Sequence, residues 1–166
     1  LHVQHYNTGS MLAIDGNSYQ PATADFHVAM TEMLLTGFTV SGGLFFEPLD
    51  ENQVLFGLPA GPSAAGSGYT DPETLLLALD YLIHGIPFGG SYNLNNQTGY
   101  PEFSGLMTWS INWDEYYGNE FSTIYGNYFD ELDELNCEAN GDVNDDGELN
   151  ILDIVSIVGF ILGDIP

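Results

Sequence analysis

Asp142, Asn144, Asp146, Glu148, Asn150 and Asp153 fall at positions 1, 3, 5, 7, 9 and 12 of a stretch with Gly147 at position 6 and apolar Leu149 at position 8. Side-chain oxygens at 1, 3 and 5, a backbone carbonyl at 7, a water-bridging amide at 9 and a carboxylate at 12 are the hard ligands that Ca2+ takes. The glycine permits the sharp turn that gathers them. The stretch reads as an EF-hand-like calcium loop, with Ca2+ the expected cofactor. Its departure is Asp153 at position 12, where glutamate is usual; the shorter side chain reaches because a helix begins at once. That helix, Ile151 to Leu162, carries Ile154, Val155, Ile157, Val158, Ile161 and Leu162 and almost no charge, so it needs a surface to bury against.

The elements that would position other chemistry come earlier in the chain. Leu1 to Tyr6, Val54 to Leu58 and Gly105 to Ile111 are short runs rich in branched and aromatic residues, each closed by Gly, Asn or Pro, and they read as strands. Between them, Thr23 can cap a helix whose apolar face is Phe26, Ala29, Met30, Met33 and Leu34, with Gly37 as terminator. Asp71-Pro72-Glu73 is a cap, a first-turn proline and an early acid, followed by the stripe Leu75, Leu76, Leu79, Leu82 and Ile83. A third helix is expected from about Glu120 to Leu135. Alternating strands and helices imply an α/β fold with parallel strands. The Gly-rich stretches 57–68 and 85–99 are expected to be large loops after strands, which is where α/β barrels carry their sites. The polar linker Asn136 to Asn140 divides the chain into residues 1–135 and a small acidic module, 136–166.

Composition narrows the partners. The 166 residues hold 24 Asp plus Glu and no Lys or Arg, a formal charge of −24. No cationic side chain is present to neutralise phosphates or an anionic lipid surface, so nucleic acid and membrane are excluded as partners and divalent cations are the natural counter-charge. No apolar run is long enough to span a bilayer. The first residues lack a basic region and an initiating Met, so the chain is expected to be a piece of something longer. Cys137 stands alone and forms no internal disulfide. His2, His27 and His84 show no ligand spacing, which argues against zinc.

Three strings carry a resemblance: Gln4-His5-Tyr6-Asn7; Val54-Leu55-Phe56-Gly57-Leu58-Pro59-Ala60; and Met107-Thr108-Trp109-Ser110-Ile111-Asn112-Trp113-Asp114. In this order they resemble the sixth, seventh and eighth barrel strands of family 18 glycoside hydrolases, the chitinases, and the likeness runs to about Tyr128. The resemblance implies a partial (β/α)8 TIM barrel and chitin or N-acetylglucosamine oligosaccharides as substrate. In this family the substrate's own N-acetyl oxygen attacks the anomeric carbon. By that likeness Tyr6 donates to the acetamide oxygen, Gln4 and Asn7 orient the sugar and the acid machinery, and Trp109 is the floor on which the ring stacks. Trp113 and Asp114 border the cleft. His5, on the opposite side of its strand, is packed and not catalytic. The family's catalytic string, Asp-x-x-Asp-x-Asp-x-Glu, has no match in these residues, so this stretch alone is expected to be inactive.

Gly141 to Gly163 resembles one repeat of a type I dockerin, which has a calcium loop and a following helix. A dockerin has two such repeats packed together; one is present. The resemblance implies docking to a cohesin-like scaffold or to another copy. The expectation is the C-terminal portion of a secreted, extracellular chitinase with a calcium-binding tail. The alternative is a non-catalytic carbohydrate-binding or assembly module.

Overall fold

Parallel strands need both faces covered and therefore read as continuous apolar runs, and the central strand here obeys that rule. The computed structural model describes residues 1–136, 143, 144, 147, 148 and 150–162. In order, the elements are β1 (His2–Gln4), β2 (Met11–Leu12), β3 (Ser18–Tyr19), α1 (Ala24–Thr36), β4 (Phe38–Thr39), β5 (Phe45–Phe46), β6 (Leu55–Pro59), α2 (Pro72–His84), β7 (Leu106–Trp109), α3 (Ile111–Tyr116), α4 (Glu120–Asn136) and α5 (Ile151–Leu162). They divide into two compact units, Leu1–Asn127 and Tyr128–Pro166. Helix α4 runs across that division, and most of the expected linker lies outside the described residues.

The main sheet is β1-β6-β7, parallel throughout, with Gln4 opposite Gly57 and Pro59 opposite Trp109. Residues in register share a face, so Val3, Phe56 and Leu106 lie on one side, and Gln4, Gly57 and Met107 on the other. The first side is the core. Phe26 and His27 of α1 meet His5 and Phe56, and Phe26, Val28, Phe56, Leu58, Leu75, Leu79 and Leu82 are all but inaccessible. On the second side Gln4 and Trp109 remain exposed. Gly57 leaves room there for the Met107 side chain: a Cβ would lie 2.6 Å from Met107 Cε.

Helices α1 and α2 begin and end as their caps dictate. The Thr23 hydroxyl accepts from Phe26 N and Asp71 from Thr74 N, and Gly37 and Gly85 follow at positive φ. The apolar face expected for α1 is incomplete, however. Ala24, His27, Val28, Thr31, Glu32 and Leu35 are buried as well, while Met30, Met33 and Leu34 are only half-buried and line a cleft of about 230 Å3 beside β1. The helix is wrapped on more than one side because the long stretch after α2 packs on it. Asp25 accepts from Ser91 N, Ser91 Oγ and Tyr92 N. Glu32, fully buried, accepts from the Tyr92 and Tyr100 hydroxyls at 2.6 and 2.7 Å and from Asn95 N at 2.7 Å. Residues 85–99 therefore form a helix-to-strand connection following α2, where a loop after a strand was expected.

In the second unit, Asn150 caps α5 through Leu152 N. Ile151, Leu152, Ile154, Val155, Ile157, Val158, Ile161 and Leu162 are between 42 and 72 % exposed, so the apolar helix lies largely open. Among the described residues no helix is long and apolar enough to cross a membrane.

Candidate active site

The C-terminal ends of β1 and β7, the two strands flanking β6, bring Gln4, Tyr6, Asn7 and Trp109 to one end of the sheet. Gln4 Nε2 donates to the Tyr6 carbonyl at 2.8 Å, tying the strand end to the turn after it. Asn7 sits at φ 53°, a left-handed conformation that asparagine tolerates. It is locked to the loop after β6: Asn7 N donates to Ser67 O and Asn7 Oδ1 accepts from Ser67 N, both at 3.1 Å. Gly68, at φ +89°, presses against Tyr6; a Cβ there would stand 2.6 Å from Tyr6 Cα. Tyr6 is accordingly buried, at 6 % exposure, with its backbone clamped on two sides.

Trp109 continues the ladder by accepting from Ala60 N at 2.9 Å, and its side chain is 52 % exposed on the open face of the sheet. The Trp109–Ser110 peptide is cis. An indole so placed offers a broad apolar platform.

Two residues expected at the cleft border part company. Trp113 is half-buried, with Tyr116 edge-on at 5.5 Å and Tyr117 stacked at 6.2 Å. Asp114 is turned away from any border: it is 3 % exposed and its carboxylate accepts from Phe121 N at 2.9 Å and from Ser122 N. It satisfies amides that the first turn of α4 leaves without intrahelical partners. Asp114→Ala is therefore expected to cost about 1 to 2 kcal/mol of stability, read as a lowered urea midpoint.

His5 is packed as expected, but it is not alone. Its Nδ1 lies 3.1 Å from Nδ1 of His27, whose Nε2 lies 2.8 Å from Thr70 Oγ1. Both rings stack on Phe56, and His5 Nε2 is buried without a hydrogen-bond partner among the described residues. Burial, and then the neighbouring His27, hold His5 well below the usual imidazole range. Burial alone brings His27 down to about 3. Sequence spacing gave no sign of this pair, because its partners are 22 residues apart on different elements.

In the loop expected to bind calcium, Asp142 and Asp146 lie outside the described residues. Asp153 is 2 % exposed, and its carboxylate accepts from Asn150 N at 2.8 Å and Val143 N at 2.9 Å, so it turns back into the loop. Gly147 has φ +81°. Asn150 Oδ1 is engaged in capping, and the Glu148 carbonyl accepts from Asn150 Nδ2 at 3.3 Å. Asn144 is exposed. Among the described residues no group of three or more His, Cys, Asp or Glu gathers as a metal centre.

No family model matches the chain. Curated relatives do. The chain is 57 % identical over 134 residues to chitinase Chi52 of Paenibacillus xylanexedens, and 55 % identical over 134 residues to chitinase D of Niallia circulans. Each alignment covers 80 % of this chain and 26 % of the relative. The chain is chitinase-related. It spans about a quarter of the length of those relatives. Among solved structures, a family GH18 chitinase from Chromobacterium violaceum superposes with a TM-score of 0.67 at 35 % identity, over 75 % of this chain and 33 % of that one. The C-terminal domain of Legionella pneumophila ChiA does so with 0.57 at 27 %, over 75 % and 40 %. This chitinase-related stretch is thus mixed α/β, and its strand ends carry the aromatic and amide residues described above.

Proposed function

We propose that the chain is the C-terminal portion of a secreted chitinase that hydrolyses β-1,4 links between N-acetylglucosamine units by substrate-assisted, retaining catalysis. The observation that carries the reading is the joint placement of Gln4, Tyr6, Asn7 and Trp109 at the C-terminal end of a parallel sheet, in a chain closely similar to chitinases. In this reading β1, β6 and β7 are the sixth to eighth strands of a (β/α)8 barrel, which their sequential parallel order supports.

The chemistry asks the protein to hold the acetamide so that its oxygen forms a bond to the anomeric carbon as the glycosidic bond breaks. Tyr6, with its backbone fixed by Gln4 and Gly68, donates to that oxygen. Asn7, pinned by Ser67, and Gln4 orient the ring, which stacks on Trp109. The proton for the leaving oxygen comes from a general acid outside this chain, a contribution of about 10²- to 10⁴-fold. The 166-residue chain is therefore expected to bind acetylated chitin oligomers in preference to deacetylated ones and to turn neither over. Calorimetry and a product assay check this; equal affinities would remove the acetamide assignment, and turnover would reveal an acid within the chain.

The tail is read as a calcium module. The buried, inward-turned Asp153 and the positive φ of Gly147 suit a hard-oxygen cation, which Asp142, Asn144, Asp146, Asp153 and the Glu148 carbonyl would hold, with Asn150 as N-cap. A bound cation would offset mutual repulsion of the loop's carboxylates and stabilise the folded tail by RT ln(1 + [L]/Kd), about 2.7 kcal/mol at a hundredfold excess over Kd. Chelator is expected to speed hydrogen exchange at the Ile154 to Ile161 amides and leave β6 unchanged; unaltered α5 exchange would count against calcium.

The second reading, a non-catalytic binding or assembly module, is favoured by the open apolar α5. In that case the helix docks on a cohesin-like scaffold or on another copy.

A further inference from the structure

His5, His27 and Thr70 take no part in holding the sugar, yet they come from the end of β1, from α1 and from the loop after β6, and all three are buried. The ring of His27 links them. Its Nδ1 lies 3.1 Å from His5 Nδ1, and its Nε2 lies 2.8 Å from Thr70 Oγ1. At neutral pH each imidazole is uncharged and carries one proton, since burial holds both below the usual range. The direction of one hydrogen bond therefore fixes the other. If the Thr70 hydroxyl donates to His27 Nε2, His27 Nδ1 donates to His5; if the hydroxyl accepts, His5 Nδ1 donates to His27.

Both ends of this linkage adjoin the turn that carries Tyr6 and Asn7. His5 immediately precedes Tyr6. Thr70 lies just after Gly68, which presses on Tyr6, and Ser67, which shares two hydrogen bonds with Asn7. Residues 5–7, the Asn7–Ser67 pair, residues 67–70 and the His27 ring thus close a circuit of contacts behind that turn. Helix α1 anchors it, because His27 N donates to Thr23 O and Thr31 Oγ1 donates to His27 O. Both rings are stacked on Phe56 of the central strand, which keeps them from swinging away. Apolar side chains would fill this space without burying polar atoms, and here His5 Nε2 is buried with no partner among the described residues. A polar linkage kept at that cost points to a role beyond filling the core.

We infer that His5, His27 and Thr70 are positioning residues for the acetamide-holding turn: their hydrogen bonds set the spacing between the end of β1 and residues 67–70, and through it the aim of the Tyr6 hydroxyl. The inference rests on the chitin reading and adds that selectivity for the acetamide is braced from the helix side of the sheet.

The test is calorimetry on the 166-residue chain with the N-acetylglucosamine tetramer and with the tetramer of β-1,4-linked glucose, which is also neutral and lacks the acetamide. Two variants cut the linkage at opposite ends. Thr70→Val keeps the shape and loses the hydroxyl; His5→Phe keeps a ring beside Phe56 and loses both nitrogens. Each is expected to lower the preference for the acetylated tetramer about three- to tenfold, the net contribution of one hydrogen bond. Affinity for the glucose tetramer should not change, and Thr70→Ser should keep the wild-type preference. An unchanged preference in a variant with native circular dichroism, an equal loss for both tetramers, or a Thr70→Ser chain no better than Thr70→Val would overturn the positioning role and leave the chitin reading standing. Loss of native circular dichroism in both variants would do the same, by showing that the linkage holds the core and not the turn. A wild-type chain without preference for the acetylated tetramer would overturn both.

Discussion

Lowering the pH from 7 to 4.5 is expected to cost the first unit several kcal/mol of stability, through His5 and His27. Both rings are buried on Phe56, one against the other, and both are held below the ordinary imidazole pKa, His27 at about 3. The unfolded chain takes up protons at these rings below about pH 6.5, whereas the folded chain does not, so stability present above that pH is lost as pH falls toward 3. Each ring contributes about 1.4 kcal/mol per pH unit in this window. The window lies above the depressed range of Asp15 and Asp71, so the slope between pH 6 and 4.5 belongs mainly to the imidazoles. Urea midpoints across that range should fall steeply, and His27→Gln should flatten the fall by about half even if it lowers stability at pH 7. A wild-type midpoint independent of pH would show that the rings are hydrated in the folded protein.

The largest single-residue effect is expected at Glu32. Its fully buried carboxylate accepts two tyrosine hydroxyls and the amides of Asn95 and Asn96. Removing it leaves the two buried tyrosine hydroxyls without their acceptor, each costing about 1 to 3 kcal/mol, and releases the amides of the more exposed Asn95 and Asn96. Glu32→Ala is expected to lose about 3 to 5 kcal/mol, on the order of the loss on breaking a buried charged network. Glu32→Gln, which keeps the shape and one acceptor oxygen, should lose less. Denaturation of both variants, followed by tyrosine absorbance, reads the difference; equal losses would mean that shape rather than oxygen acceptance holds the site. Tyr92 and Tyr100 are pushed well above the usual phenol range, by burial first and then by their bonds to Glu32, so the variants should also ease their alkaline titration.

What the sequence announced and what it hid follow from the range of the interactions. Helix α2 is legible because Asp71, Pro72 and the leucine stripe act within a few residues of one another. So are the three parallel strands, although the two outer ones pair over fewer residues than their apolar runs suggest. The antiparallel pairs β2-β3 and β4-β5 were invisible, since two-residue strands leave no alternation to read. Glu32 carried no sign of its role in the sequence, because its partners lie 60 and more residues away. Asp114 was placed beside a cleft by its neighbour Trp113, yet the helix that begins after it claims its oxygens. The strings Gln4 to Asn7 and Met107 to Trp109, by contrast, stand at strand ends as expected, because parallel strands deliver their C-terminal residues to one end of the sheet.

Asp25 and Glu32 are seven positions apart on α1, and between them they grip Ser91, Tyr92, Asn95 and Asn96 by the main-chain amide. A grip on the backbone is indifferent to the side chain it carries. Position 95 is thus free to drift in evolution without loosening the loop, with proline the one residue that the carboxylate cannot hold, whereas Ser91 and Asn96 also bind through their side chains, Ser91 Oγ to Asp25 and Asn96 to the Gly99 carbonyl and to Thr98.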